Sequence, residues 1–379
     1  MKTDLLIVGA GPFGLALSAY ARRLGIEHVV VGEPMSFWRD HMPEGMYLRS
    51  DSDWHLDITG EATIDAYTSA LGRTRREVEP LSLEYYRGYA SWFRERTRHE
   101  SRRQRVDDLS RQGGLLVGAL SDGSSISARH AVLAIGFAYF AHVPPETAAL
   151  LPADSYAHTC DAVELAQYRG QRVLIVGGRQ SAFEWAALLR ESGAAAVHLT
   201  YRHDTPAFAA ADWSWVLPLM DRTVGDPAWF RRLSAAEKDA ISRRLWAEGR
   251  LKLEPWLAAR IDHADVHLWP GTRIASAEAT ADGLHTLLAP DGAITVDSVI
   301  FATGYRVDLA RVPFLATLLP QIALNDGAPV LNERFESSVP GLYMTSMAAT
   351  RDFGPFLAFT VSARASARII GDDIARKLS

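Results

Sequence analysis

Asp4-Leu5-Leu6-Ile7-Val8-Gly9-Ala10-Gly11-Pro12-Phe13-Gly14 is the stretch that decides the fold. Asp4 to Val8 is a short, largely apolar run closed by glycine, the mark of a strand buried on both faces. A helical stretch through Arg23 follows, and a second apolar run, His28 to Val31, ends in Gly32-Glu33. Strand, glycine turn, helix and strand, with an acid 24 residues after the first glycine, make a dinucleotide-binding unit. Gly9 permits the tight turn, Gly11 admits a pyrophosphate against the backbone, and Gly14 lets helix and strand close on each other. The helix opening at Pro12-Phe13 offers its N-terminus to the phosphates, and Glu33 is placed for the ribose hydroxyls. The bland alternative is a glycine-rich turn in some other α/β protein.

A second copy stands at Arg172-Val173-Leu174-Ile175-Val176-Gly177-Gly178-Arg179-Gln180-Ser181-Ala182, followed by a helical run to about Glu191 and a strand, Ala196 to Tyr201. Two such units imply two nucleotides. Gly177 matches Gly9, Arg179 matches Gly11 and Ala182 matches Gly14. Arginine is not the usual residue at the middle position. Counting 24 residues past Gly177 reaches Tyr201, beside Arg202 and His203. A base where an acid would select NADH favours a 2′-phosphate, hence NADPH. The competing reading makes Arg202 a solvated strand end.

The composition sets the outer limits. The chain has 379 residues, room for two domains, and 48% hydrophobic content, enough for ordinary cores. Forty basic against forty-five acidic side chains give a net charge of −5, with no nucleic-acid footprint. Cys160 is the single cysteine, which excludes a disulfide framework, a zinc-finger cluster and a CxxC redox pair. A lone thiol fits a reducing compartment, so a cytoplasmic protein is expected. The apolar N-terminal run resembles a signal peptide, but Asp4 and its glycines are explained by the nucleotide turn. The next most apolar segment, Ala131 to Val143, has 13 residues, fewer than the roughly 20 a membrane span needs.

Half of the ten tryptophans, Trp213, Trp215, Trp229, Trp246 and Trp256, fall between Asp212 and Arg260. Ser234-Ala235-Ala236-Glu237 is a capping box that starts a helix running to about Ala247. This stretch reads either as a substrate-cleft lining or as an excursion packing its own aromatics. Near the C-terminus, Gly354-Pro355 opens an apolar helical stretch to about Ile370.

Asp297-Ser298-Val299-Ile300-Phe301-Ala302-Thr303-Gly304-Tyr305 carries a Phe-Ala-Thr-Gly-Tyr string. It resembles a signature of the flavin-containing monooxygenases and the related N-hydroxylating monooxygenases. Leu133-Ala134-Ile135-Gly136 is similar to a degenerate earlier copy. Ser36-Phe37-Trp38-Arg39 through Gly45-Met46-Tyr47-Leu48-Arg49-Ser50 resembles the flavin-side loop of that group. Three departures stand out: Arg179 for glycine, Ile135 for threonine, and a linker signature reduced to His158, to which no catalytic role is assigned.

The resemblance implies an α/β fold of two Rossmann-like domains, with the NAD(P)H-binding one (163–296, carrying the Trp-rich excursion 212–260) inserted into the FAD-binding one (1–145 and 297–379). It implies FAD, NADPH and molecular oxygen, with one oxygen atom passed from a peroxyflavin to a small molecule. It places Trp38, Arg39, Ser50, Val106, Gly136 and Gly304 around FAD, and Gly354 with the N–H groups of Phe356 and Leu357 at the flavin N1–O2 edge. Gly177, Arg179, Gln180, Ser181 and Arg202 are the expected NADPH contacts. No metal is expected, and no catalytic side chain is singled out, since the cofactor carries the hard chemistry. A reductase without oxygen transfer, or a flavoprotein whose second site is vestigial, is the alternative.

Overall fold

The computed structural model describes residues 1–379. The first sheet is built around β1 (Lys2–Val8), whose Leu5, Leu6 and Ile7 are fully buried. It pairs in parallel with β2 (His28–Val31) on one side and with the distant β5 (Ser125–Leu133) on the other; Ile7 stands between Val30 and Val132. The hairpin of β3 (Val106–Gln112) and β4 (Leu115–Leu120) continues the sheet antiparallel from β5, giving the order β2-β1-β5-β4-β3. A late strand, Leu342–Met344, returns to pair in parallel with β5.

Helix α1 (Pro12–Arg23) leaves β1 through the glycine turn and packs along the C-terminal helix, Ala363–Leu378. Gly371 makes that approach close: a Cβ there would meet the Tyr20 ring at 2.6 Å. Helix α2 (Leu83–Arg96) buries Tyr86, Tyr89 and Phe93 in the same core.

The second sheet is all parallel. It comprises β6 (Tyr156–His158), β7 (Arg172–Val176), β8 (Ala196–Tyr201), β9 (Val266–Pro270) and β10 (Ser298–Phe301), in the order β9-β8-β7-β10-β6. Helix α3 (Gln180–Glu191) follows β7 and buries one face on the sheet through Ala182, Phe183 and Ala186. An antiparallel meander, Arg273–Thr280, Gly283–Ala289 and Ala293–Val296, closes over Leu174, Val299 and Phe301.

Two expectations about segment limits are corrected. Ser298–Phe301 was expected in the returning FAD segment, yet Val299 and Ile300 pair with Leu174 and Ile175 inside the second sheet. Tyr156–His158, upstream of residue 163, is that sheet's edge strand. A parallel strand takes its sheet from partners over a hundred residues away, so the local string does not reveal it.

The excursion starts helix α4 (Ala235–Leu245) with the expected capping box at Ser234 and Glu237. The helix stops two residues early, in a wide turn where the Leu251 N–H reaches back to the Trp246 carbonyl at 2.8 Å. The expected helix from Pro355 to Ile370 is also broken. Pro355–Ala358 and Thr360–Ser362 are separate single turns, and the regular helix begins at Ala363. Phe359 is extended (φ −108°, ψ 153°), turning its ring toward Trp54 and Trp213. No helix is long and apolar enough to cross a membrane.

Candidate functional site

The first glycine turn has two kinds of glycine. A Cβ on Gly9 (φ +111°) would lie 2.4 Å from the Ala134 carbonyl oxygen, and one on Gly14 would lie 1.9 Å from the Gly9 oxygen. Both are required by the fold. A Cβ on Gly11 would meet nothing within 4 Å, and its backbone (φ −80°) suits any residue. The protein itself does not need glycine there. An open backbone face at a helix N-terminus fits a pyrophosphate. Glu33 lies just past β2 with its carboxylate held by Arg39 at 3.3 Å and Arg103 at 3.5 Å. Arg102 bridges Val31 and brings the chain leading to Val106 alongside the end of β2.

On the flavin-side loop, Trp38 stacks on Tyr86 of α2 with centroids 4.8 Å apart, and the Ser50 hydroxyl reaches Thr360 at 3.5 Å. Gly136 and Gly304 both adopt positive φ (+59° and +77°) where the chain leaves β5 and β10. The Gly304 carbonyl accepts bonds from the His142 N–H at 2.9 Å and from His158 Nε2 at 3.0 Å. His158 is thus a buried hydrogen-bonding residue of the crossover.

At the C-terminal turn one expectation fails. The Leu357 N–H is not free, because it donates to the Gly354 carbonyl at 3.2 Å. Gly354 sits at φ +97°, with the Phe230 ring 3.0 Å from where a Cβ would be. Phe356 is buried beside Trp215, centroids 5.0 Å apart. The Trp-rich excursion therefore does not keep its aromatics to itself. Trp213 packs edge-on against Trp54 at 5.8 Å and beside Phe359 at 6.4 Å, joining three distant segments in one buried aromatic cluster.

The second glycine turn is similar in backbone and different in charge. Gly177 takes φ +149°, and Gly178 lies so close to Tyr201 that a Cβ would fall 2.4 Å from its ring. Arg179 is the extended N-cap of α3 (φ −119°), and its guanidinium lies 3.7 Å from the Trp246 ring centroid. Burial, then the charges of Arg250 and Arg202, push its pKa down to about 10; it stays cationic at neutral pH. Ser181 and Arg202 are exposed. Gln180 is buried, its Oε1 accepting the Glu254 N–H at 3.0 Å while its Nε2 has no partner.

Sequence reasoning missed Glu184, one turn into α3. It is fully buried, with Oε1 accepting the Tyr47 N–H at 2.6 Å and Oε2 unpartnered. It ties the nucleotide helix to the flavin-side loop, and Arg49 repeats the tie by pairing with Glu254 at 2.8 Å. Burial pushes the Glu184 pKa from 4.5 up to about 8, against the pull of the Tyr47 N–H and of Arg260. The folded chain therefore holds this proton more tightly than the unfolded chain does. Stability falls as pH climbs between those two values, and the loss is complete above the higher one. Glu184→Gln keeps an acceptor for Tyr47 and should flatten that slope. Melting temperatures at about pH 6 and about pH 9 should differ less in the variant than in the wild type; equal differences would exclude the assignment.

Metal-ligand types meet only loosely. His41, Cys160 and Asp161 bring ligand atoms within 4.8 Å of one another, but burial pushes the Cys160 thiol up to about 12, which keeps it protonated.

Residues 6–227 match the sequence profile of the family described as pyridine nucleotide-disulphide oxidoreductase. A ferredoxin–NADP reductase of Thermus thermophilus is 25% identical over 349 residues, 90% of this chain and 83% of its own. An FAD-dependent urate hydroxylase of Xanthomonas campestris pv. campestris is 26% identical over 352 residues, 84% of this chain and 69% of its own. The ornithine N-hydroxylase of Kutzneria sp. 744 superposes over the whole of both chains with a TM-score of 0.84 at 16% identity. That likeness shows the fold expected from the resemblance: α/β, with two Rossmann-like sheets.

Proposed function

The chain belongs to the pyridine nucleotide-disulphide oxidoreductase family, and from that premise we propose that it is an FAD-dependent, NADPH-reduced monooxygenase transferring one oxygen atom to a small molecule. Membership makes it a flavin-dependent NAD(P)H oxidoreductase; the monooxygenase step is our reading. FAD is assigned to the first sheet through Gly9, Gly11, Pro12, Phe13, Gly14 and Glu33, with the loop of Trp38, Arg39 and Ser50 beside it. NADPH is assigned to the second, through Gly177, Arg179, Gln180, Ser181 and Arg202. Bound FAD would supply the redox and oxygen chemistry; the chain's task is to hold both nucleotides and keep water out.

The observation that carries the proposal is the aromatic wall. Trp54, Trp213 and Phe356 are each under a tenth exposed and come from the flavin-side half, the excursion and the C-terminal turn. Sealing that junction excludes water from the region beside the flavin-side loop. A reductase passing electrons to a protein carrier needs an accessible flavin edge and no such seal. Thiol chemistry has no support, because Cys160 is buried in the crossover and protonated. The similarity to ferredoxin–NADP reductases keeps reductase as the second reading.

One experiment separates them. NADPH under argon should bleach the yellow protein. With ¹⁸O₂ and a panel of amines, thioethers and ketones, at least one product should gain a single labelled oxygen per NADPH consumed. Rapid electron transfer to a ferredoxin with no labelled product would establish the reductase instead.

A further inference from the structure

Three arginines gather at the second glycine turn without an acid to face. Arg179 and Arg250 both lie over the Trp246 indole, their guanidinium carbons 3.7 and 5.3 Å from its centroid. Arg202, just past β8, is near enough to Arg179 to depress its pKa, as Arg250 does. Several part-buried arginines elsewhere in this chain are paired with acids: Arg49 with Glu254 at 2.8 Å, Arg260 with Glu191 at 2.7 Å and Arg172 with Asp297 at 2.7 Å. Arg179, Arg202 and Arg250 make no such pair, and their guanidinium groups donate no hydrogen bond to the protein. Burial holds the Arg250 pKa down, and no acid opposes it.

Like charges drawn together on a half-exposed indole oppose folding unless an anion joins them. A guanidinium held over a ring by cation–π attraction keeps its N–H groups available, and N–H groups that bond nothing in the protein are free to bind phosphate. The wide turn of Trp246 to Arg250 brings the indole and Arg250 to the N-terminus of α3, where Arg179 already stands as the N-cap. Arg179 stands where Gly11 stands in the first unit, the position at which a pyrophosphate meets the backbone. Arg202 follows β8 as Glu33 follows β2, at the ribose end.

We propose that Arg250, seated on Trp246, is with Arg179 a side-chain ligand of the nicotinamide dinucleotide's pyrophosphate, replacing the backbone contact that a glycine at 179 would have provided. The inference rests on the reading that the second sheet binds NADPH, and it divides the site. Arg179 and Arg250 serve a phosphate pair common to NADPH and NADH. Arg202 serves the 2′-phosphate alone. Trp246 is the positioning residue for both pyrophosphate arginines.

The test is calorimetric titration of the FAD-loaded protein with NADP⁺, NAD⁺ and ADP-ribose. Arg250→Ala should weaken all three by a common factor of about ten to a hundred. Arg202→Ala should weaken NADP⁺ alone. Arg250→Gln, which keeps most of the stem over the indole, should reproduce the Arg250→Ala loss with FAD content unchanged and a melting temperature no lower than that of the wild type. A loss confined to NADP⁺ would put Arg250 on the 2′-phosphate and overturn the assignment, and so would three unchanged affinities. A wild type that binds NADP⁺ while Arg250→Ala matches it defeats this inference alone. A wild type that binds none of the three defeats the NADPH reading and the inference with it.

Discussion

Gly11→Ala protein should fold, melt near the wild-type temperature and be almost colourless. The two halves of that expectation come from different atoms. A methyl at position 11 meets no protein atom within 4 Å, and the φ of −80° there costs alanine nothing. The fold is indifferent to the change. A pyrophosphate seated against this turn is not, because the methyl occupies the space the phosphate oxygens need to reach the N–H groups of α1. Losing two or more charge-assisted hydrogen bonds costs roughly 3 kcal/mol or more, a hundredfold or more in FAD affinity. The measurement is the flavin-to-protein absorbance ratio of the purified variant, with circular dichroism to show the fold intact. Gly14→Ala is the contrasting control: its methyl would lie 1.9 Å from the Gly9 oxygen, so the chain itself should fail. Full stoichiometric FAD on Gly11→Ala would mean that the turn has been misread.

That contrast also shows what the sequence can disclose. Both nucleotide units are legible because each is a local arrangement of strand, glycine turn, helix and strand within about thirty residues. The chemistry of Gly9 and Gly14 is written in the residues that must pack there. The strand Ser298–Phe301 is less legible, since its sheet is chosen by Leu174 and Ile175, over a hundred residues earlier. Its Phe-Ala-Thr-Gly string marks the crossover without saying on which side the strand lies. The break at Phe359 is invisible for a related reason. The helical periodicity from Pro355 to Ile370 is real, but contacts with Trp54 and Trp213 override it. Glu184 reads as one more helical residue until Tyr47 is seen to bond it. Arg250 has no periodic signature, because a five-residue turn repeats nothing. What tertiary structure adds is mainly the seam between the two halves, where the aromatic cluster, Glu184 and Arg49 all lie.

Arg179→Gly should weaken NADPH binding by about tenfold or more and slow the anaerobic bleaching of the flavin at subsaturating NADPH. Restoring glycine reopens the backbone path, so a side chain that merely plugged the site would give the opposite sign, with NADPH reduction appearing or accelerating. Geometry favours the loss. The Arg179 backbone is extended rather than left-handed, so the arginine imposes no strain that glycine would relieve. Its guanidinium lies over Trp246, 3.7 Å from the ring centroid. There it shares the indole with Arg250 and faces no carboxylate. Even with its pKa pushed down to about 10, it is fully charged at neutral pH, so removing it removes a cation from a cluster that lacks an anion. A plug would be expected to carry its own internal counter-ion, as Arg260 does with Glu191 at 2.7 Å. Stopped-flow reduction of wild type and Arg179→Gly across a range of NADPH concentrations gives the sign directly. A wild type that NADPH cannot reduce, beside a variant that it reduces quickly, would show that Arg179 closes the site.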